Sequence, residues 1–192
     1  MADKHVKTSR LTMVALLSSI AFIIQYLDFP IPPFPTFLKV DFSEVPALFA
    51  GLMFGPWAGV IVQLLKNTLH YLFTGSEAGI PINQIANFIA GSIFVLLTVG
   101  LSRKISGPKG LLIGLSVATM AMALLMAVAN YLIILPAYAY LINWTVQGPE
   151  KTALVLYWIA PFNLVKGLLI GVAFLPLYYR LKPKLSHRLS PR

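Results

Sequence analysis

The stretch Ala160-Pro-Phe-Asn-Leu-Val-Lys-Gly-Leu-Leu-Ile-Gly171 lies inside an apolar run, Thr152 to Tyr179, that is long enough to cross a bilayer. Helical spacing puts Asn163 and Lys166 on one face, about one turn apart. An ammonium in hydrocarbon costs at least ~2.5–3.5 kcal/mol on insertion scales. Such a group is kept where a partner or a ligand compensates for it. The run therefore points to a helical membrane chain with a polar site inside the membrane, walled by Asn163 and Lys166. A structural ion pair on Lys166 is the competing reading.

The rest of the composition agrees with that class. The 192 residues are 58% hydrophobic and 11% charged, with a mean hydropathy of +0.80. Soluble domains average about 25% charged residues. With no cysteine, a disulfide framework and a thiolate metal site are both excluded. The first apolar run lacks a small-residue cleavage site and is followed by further spans, so it reads as a retained helix. The expected fold is all-α: a single polytopic membrane domain over 1–192. It has six transmembrane helices and short cytoplasmic tails at 1–10 and 180–192.

Leu11 to Leu27 is the first span, on the short side for a crossing. Ala15 and Ser19 form a small-xxx-small pair on it. Such a face suits close approach of another helix, either within the bundle or from a docking partner. Pro30, Pro32, Pro33 and Pro35 then forbid a regular helix. The phenylalanines between them, Phe29, Phe34 and Phe37, favour a loop folded back over the bundle mouth, in the manner of a lid. Phe42–Phe54 and Trp57–Phe73 flank the turn at Gly55-Pro56 and read as a helical hairpin. Glu44 and Lys66 are equidistant from Gly55, so an antiparallel hairpin sets them at similar depth, where they are expected to form a structural ion pair. Thr74 to Pro81 is a Gly-rich loop with Glu77. A fourth helix, Ile82–Leu101, opens with an amide cluster of Asn83, Gln84 and Asn87; interhelical glue is as good a reading of any one of them as ligand contact. Gly110–Leu135 is a fifth helix with Asn130 near its far end, followed by a loop from Pro136 to Lys151.

Charge orients this arrangement. With the N-terminus inside, one side holds Lys4, Lys7 and Arg10, then Arg103, Lys104 and Lys109, then Arg180, Lys182, Lys184, Arg188 and Arg192. Lys39 and Lys151 remain outside, and five of the six acids lie at or near the outer side. The positive-inside rule favours this topology. The net charge of +9 is thus an orientation signal in contact with membrane lipid, with little reason to invoke nucleic acid. Asn130 and Asn163 then fall in the outer half of the membrane, with Lys166 about one turn deeper. Two amides and an ammonium beneath a Phe/Pro loop suit a planar polar heterocycle arriving from outside. No phosphate-binding Gly-x4-Gly-Lys-Ser/Thr run, clustered metal set or nucleophile triad is present, so neither an enzyme nor a cofactor is expected. Uphill movement of a solute would need energy from another subunit.

Four runs carry a resemblance: Asp41-Phe-Ser-Glu-Val-Pro-Ala-Leu48, Phe54-Gly-Pro-Trp-Ala-Gly59, Lys66-Asn67, and Ala78-Gly-Ile-Pro-Ile-Asn-Gln-Ile-Ala-Asn-Phe-Ile-Ala-Gly91. Together they resemble the riboflavin-specific substrate-binding subunits (S components) of energy-coupling factor (ECF) transporters, the RibU family. The resemblance implies a six-helix subunit of a bacterial plasma membrane that captures riboflavin from outside with high affinity. It implies as partners a transmembrane coupling subunit, EcfT, and two cytoplasmic ATPases. It assigns flavin-ring contacts to Asn130, Asn163 and Lys166, and docking to Ala15 and Ser19, where serine replaces the second alanine of the family's motif. The loop after the first helix, including Leu38, and the region bearing Asn83, Gln84 and Asn87 are implied to border the flavin. A sibling subunit for another vitamin, a flavin facilitator working alone, a ligand-free scaffold and, least favoured, an intramembrane enzyme are the alternatives.

Overall fold

The computed structural model describes residues 2–76, 79–105 and 107–189, with side chains described within 8–182. Glu77, Ala78 and Arg192 lie outside the described residues. Helix α1 spans Ala2–Gln25, α2 Glu44–Phe54, α3 Pro56–Thr74 and α4 Ile82–Lys104. Helix α5 (Pro108–Ala129) passes through a π-helical turn, Asn130–Ile134, into α6 (Leu135–Ile142). Helix α7 (Gly148–Ala153) passes through a second π turn, Leu154–Ile159, into α8 (Ala160–Leu189). The described residues thus form six helical rods. Four of them contain a stretch long and apolar enough to cross a membrane, at Thr8–Gln25, Ile82–Lys104, Pro108–Ile142 and Gly148–Lys182. The eleven residues of α2 rise only about 16 Å, half a hydrocarbon core.

Several boundaries differ from the sequence-based expectation. The segments 2–10 and 180–189 extend α1 and α8 as helix and are not separate tails. The expected loop from Pro136 to Lys151 shrinks to residues 143–147, because helix continues on both sides of it. Each π turn ends within two residues of a proline, Pro136 or Pro161. Proline removes one helical N–H and crowds the carbonyl four residues back, and a wider turn relieves that conflict without ending the rod.

Packing depends on small residues, as expected where the solvent is itself apolar. A Cβ on Gly59 would stand 2.7 Å from the Ala47 carbonyl oxygen, so α2 and α3 touch backbone to backbone. Gly114 brings α5 equally close to the Thr98 carbonyl of α4. The main core joins α2, α3, α4, α5 and α8 through Leu48, Val62, Phe94, Met122, Ile170 and Phe174. Outside it, Leu72, Phe73, Leu124, Leu132, Ile133 and Val172 are each more than 60% exposed, apolar surface suited to lipid.

The Pro/Phe segment forms a short antiparallel ribbon, β1 (Phe29–Pro30) against β2 (Lys39–Val40), with Phe29 opposite Val40. The prolines sit at its edge and tip, where a missing N–H costs no ladder bond. An exposed Lys39–Asp28 pair at 3.2 Å ties its base.

Candidate functional site

The ribbon tip lies against the last rod and the loop that precedes it. Phe34 meets Phe162 at 5.5 Å between ring centroids and Trp158 at 6.4 Å, both edge to face. Phe37 meets Trp144 at 5.6 Å in the same manner. Leu38 packs on a small separate apolar cluster of Ala127, Leu135, Val155 and Ile159. Those four residues come from the helices and π turns that carry or flank Asn130 and Asn163, and the two π turns themselves pack together. The sequence-predicted loop, Asn130 and Asn163 therefore converge on one region.

The amides are held by their own helices. Asn130 Nδ2 donates to the Met126 carbonyl and Asn163 Nδ2 to the Ile159 carbonyl, each at 2.8 Å. Among the described residues neither amide oxygen accepts a hydrogen bond. Each side chain is fixed in direction while keeping acceptor capacity and a second N–H.

Lys166 is less available than its sequence context suggests. Its Nζ lies 3.4 Å from Asp41 Oδ2 and 3.5 Å from Glu44 Oε1. Lys66 Nζ lies 3.3 Å from the same Glu44 oxygen. Ser43 links the two halves: its hydroxyl accepts from Lys66 and donates to Asp41, and its backbone N–H donates to Asp41 Oδ1 at 2.9 Å. Two carboxylates and two ammoniums thus form one buried, electrically balanced cluster. The chain itself compensates the Lys166 charge, and no guest is required to keep it in the membrane. The Glu44–Lys66 contact exists as counted from Gly55, but inside this four-charge group and not as an isolated pair. Burial pushes the Asp41 carboxyl up; Lys166, Lys66 and the two Ser43 bonds more than offset this and hold it below the usual carboxylate range. Among the described residues, the buried Glu44 Oε2 has no hydrogen-bond partner.

The amides of α4 divide. Asn83 is exposed, and Gln84 is buried with Nε2 donating to the Gly75 carbonyl at 3.1 Å. Asn87 is half-buried, and its enclosed Oδ1 has no partner among the described residues. Deeper in the same bundle, Gln25 Nε2 donates to Asn67 Oδ1 at 3.2 Å, and Asn67 donates to the Gln63 carbonyl. Ala15 and Ser19 are exposed on α1; the Ser19 hydroxyl donates to the Ala15 carbonyl, so serine keeps this face small and internally satisfied. Among the described residues no group of three His, Asp or Glu could hold a metal.

Sequence reasoning passes over Asp41 and Ser43 as site residues, and Trp158 and Phe162 as ring partners of the loop. A usable signal exists for Asp41: a membrane chain with six acids has few carboxylates to spare, and one that is buried requires a cation.

A family model described as "ECF transporter, substrate-specific component" matches residues 9–178. The riboflavin transporter FmnP of Bacillus subtilis (strain 168) is 45% identical over 190 residues, covering 96% of this chain and 97% of that protein. The riboflavin transporter RibU of Staphylococcus aureus (strain TCH60) is 39% identical over 175 residues, 91% of each chain. A solved S component of a bacterial ECF transporter superposes with a TM-score of 0.80 at 37% identity, covering 93% of this chain and 98% of that one. ThiT from Listeria monocytogenes shares the fold, with a TM-score of 0.67 at 15% identity, covering 93% of this chain and 97% of that one.

Proposed function

Because this chain belongs to the ECF transporter substrate-specific component family, we propose that it is a riboflavin-binding membrane subunit. It captures the vitamin from outside with high affinity and releases it inward with an ATP-driven module. One observation carries the reading: the aromatic ribbon, Leu38 and the π turns beside Asn130 and Asn163 meet over a single region. An isoalloxazine is flat, apolar over its faces and polar along one edge. Amide oxygens and N–H groups suit its ring carbonyls and nitrogens, and the third Lys166 donor, left over from Asp41 and Glu44, suits a carbonyl. Phe34, Phe37, Trp144 and Trp158 supply stacking and closing area. The partnerless oxygens of Asn87 and Glu44 are acceptors suited to a polyol tail, and Gln84 and Asn83 border that side.

The chain holds no nucleotide-binding sequence, so energy comes from partners: a transmembrane coupling subunit of the EcfT kind and two cytoplasmic ATPases. Ala15, with Arg10, Leu11, Val14, Ala58, Ile61 and Leu65, lines a groove of about 530 Å³ between α1 and α3, which suits helix docking. The termini face the cytoplasm by the distribution of Lys and Arg.

Titration of the delipidated, detergent-purified protein with riboflavin tests this. Bound-flavin absorbance and quenched flavin fluorescence at one equivalent are expected, with Asn130→Ala and Asn163→Ala each weakening binding. A preparation that ignores riboflavin but takes up another vitamin, or that accumulates riboflavin in liposomes when alone, would overturn it.

A further inference from the structure

The end of the bundle away from the ribbon carries a second pocket. Leu52 and Met53 from the end of α2, Ser102 and Arg103 from the end of α4, and Tyr178, Tyr179 and Lys182 on α8 line an open pocket of about 280 Å³ with the start of α5. That volume is at the small end for ligand pockets, closer to a headgroup than to a whole vitamin.

Its chemistry is one-sided. Arg103 Nη2 reaches the Gly51 carbonyl only at 3.5 Å, and Lys182 Nζ stands 5.8 Å over the Tyr178 ring. Among the described residues no carboxylate pairs with either cation; the described ion pairs all belong to Lys39, Lys66 and Lys166. The side chains of Asp28, Asp41, Glu44 and Glu150 lie toward the other end of the rods. Lys104 and Lys109 raise the local positive charge further. The α5 N-terminus, capped by Gly107 in a positive-φ conformation with Pro108 following, adds the positive end of a helix dipole to the same place. The floor, by contrast, is apolar, built from Leu52, Met53 and Leu111. Leu177 and Leu181, close to Tyr178 on α8, are exposed.

We infer that this pocket binds the phosphodiester headgroup of an anionic phospholipid. Arg103 and Lys182 take the phosphate oxygens, Tyr178 and Tyr179 sit at the headgroup level, and the acyl chains run along the leucines of α8. A guanidinium offers a fork of N–H donors that matches phosphate geometry, while Lys182 contributes a mobile point charge. Basic pockets between helix ends on the Lys/Arg-rich side of a membrane are placed where anionic lipid is drawn by the surface potential. A soluble phosphate shares the charge chemistry but gains nothing from the apolar floor or the flanking leucines. The leaflet follows from the inward orientation of the Lys/Arg-rich ends.

The test uses the full chain, delipidated in an uncharged detergent, with titration by native mass spectrometry of phosphatidylglycerol, phosphatidylcholine and glycerol phosphate. Wild type is expected to retain phosphatidylglycerol over the other two. Arg103→Gln combined with Lys182→Gln should weaken that retention roughly thirtyfold, since it removes two cations from the anionic surface. Lys39→Gln, at the other end, should leave it unchanged. Arg103→Lys keeps the charge but loses the fork, so its retention should fall between wild type and the double variant, which guards against a variant that merely fails to fold. Equal retention of phosphatidylcholine would overturn the inference, as would glycerol phosphate binding as well as the lipid. Normal lipid retention by the double variant, with loss of assembly on an ATPase-bearing coupling module, would reassign the surface to a protein contact and also overturn it.

Discussion

Lys166 Nζ stands 3.4 Å from Asp41 Oδ2, joining α8 to the end of the β1–β2 ribbon across 125 positions of sequence. Lys166 is thus both an anchor for the lid-bearing segment and a wall of the proposed flavin site. Replacing it with methionine leaves Asp41 and Glu44 buried against Lys66 alone, with one uncompensated negative charge. Breaking a buried pair from one side costs about 3–5 kcal/mol. The thermal midpoint of Lys166→Met is expected to fall by roughly 10 °C. Adding Asp41→Asn restores neutrality and should recover most of that loss without restoring flavin affinity. A double variant no more stable than Lys166→Met would show that the cluster is not a balanced unit.

Titration behaviour follows from the same geometry. The folded-state pKa of Asp41 is depressed, so its contribution is fully present above the unfolded value near 3.8 and is lost as pH falls through the still lower folded value. Thermal stability measured between pH 8 and pH 5 should therefore show no loss from this group. The difference between wild type and Asp41→Asn should shrink only below about pH 4. A midpoint near pH 6 in that difference would contradict the paired carboxylate.

Much of this is legible in the chain. Membrane residence follows from hydropathy, and the common depth of Glu44 and Lys66 from their equal distance to Gly55. The partner of Lys166 is not legible, because Asp41 lies outside every helical repeat and reaches α8 only through the non-local ribbon fold. Pattern within a helix says which residues share a face, but not what a distant loop lays upon it. The π turns escape for a different reason. Pro136 and Pro161 are visible, yet proline ends one helix and only widens another, and tertiary packing decides which. The inference that a guest must compensate Lys166 fails on the same point as its missing partner: two carboxylates of the chain already do so.

Gly59 and Gly114 test the close helix contacts. A Cβ at either would fall 2.7 Å from a backbone carbonyl oxygen, which cannot rotate away. Gly59→Ala and Gly114→Ala should each destabilise by about 1–3 kcal/mol through forced separation of the helices. Gly100, also within a helix, has nothing within 4 Å of its Cβ position. Gly100→Ala should be neutral or stabilising by up to ~1 kcal/mol. Thermal denaturation in one detergent compares all three; equal losses would remove the distinction.

Phe34 reports on the ribbon as a lid. Its ring meets Trp158 and Phe162 edge to face, apart from the charged cluster. Phe34→Ala removes those ring contacts along with part of the cover over Leu38 and the π turns. Stopped-flow fluorescence should show riboflavin leaving roughly tenfold faster, with association less affected and thermal stability of the free protein nearly unchanged. If release is unaltered while stability drops, the ribbon is structural trim and closure lies elsewhere.

The α1 face separates capture from delivery. Ala15 and Ser19 are exposed, small and one turn apart, and the Ser19 hydroxyl is already satisfied by the Ala15 carbonyl. Small residues there leave room for the close approach of a partner helix. Ala15→Trp places an indole over the groove shared with Ala58 and Ile61. Flavin binding by the purified subunit should be unchanged, because the groove lies apart from Asn130, Asn163 and the ribbon. Uptake in cells supplying the coupling subunit and ATPases should fall at least tenfold, with less of the subunit co-purifying with the module. Full uptake by Ala15→Trp would move the docking surface to another face of the bundle. Loss of flavin binding in the isolated subunit would instead mean that α1 is coupled to the site through Gln25 and Asn67.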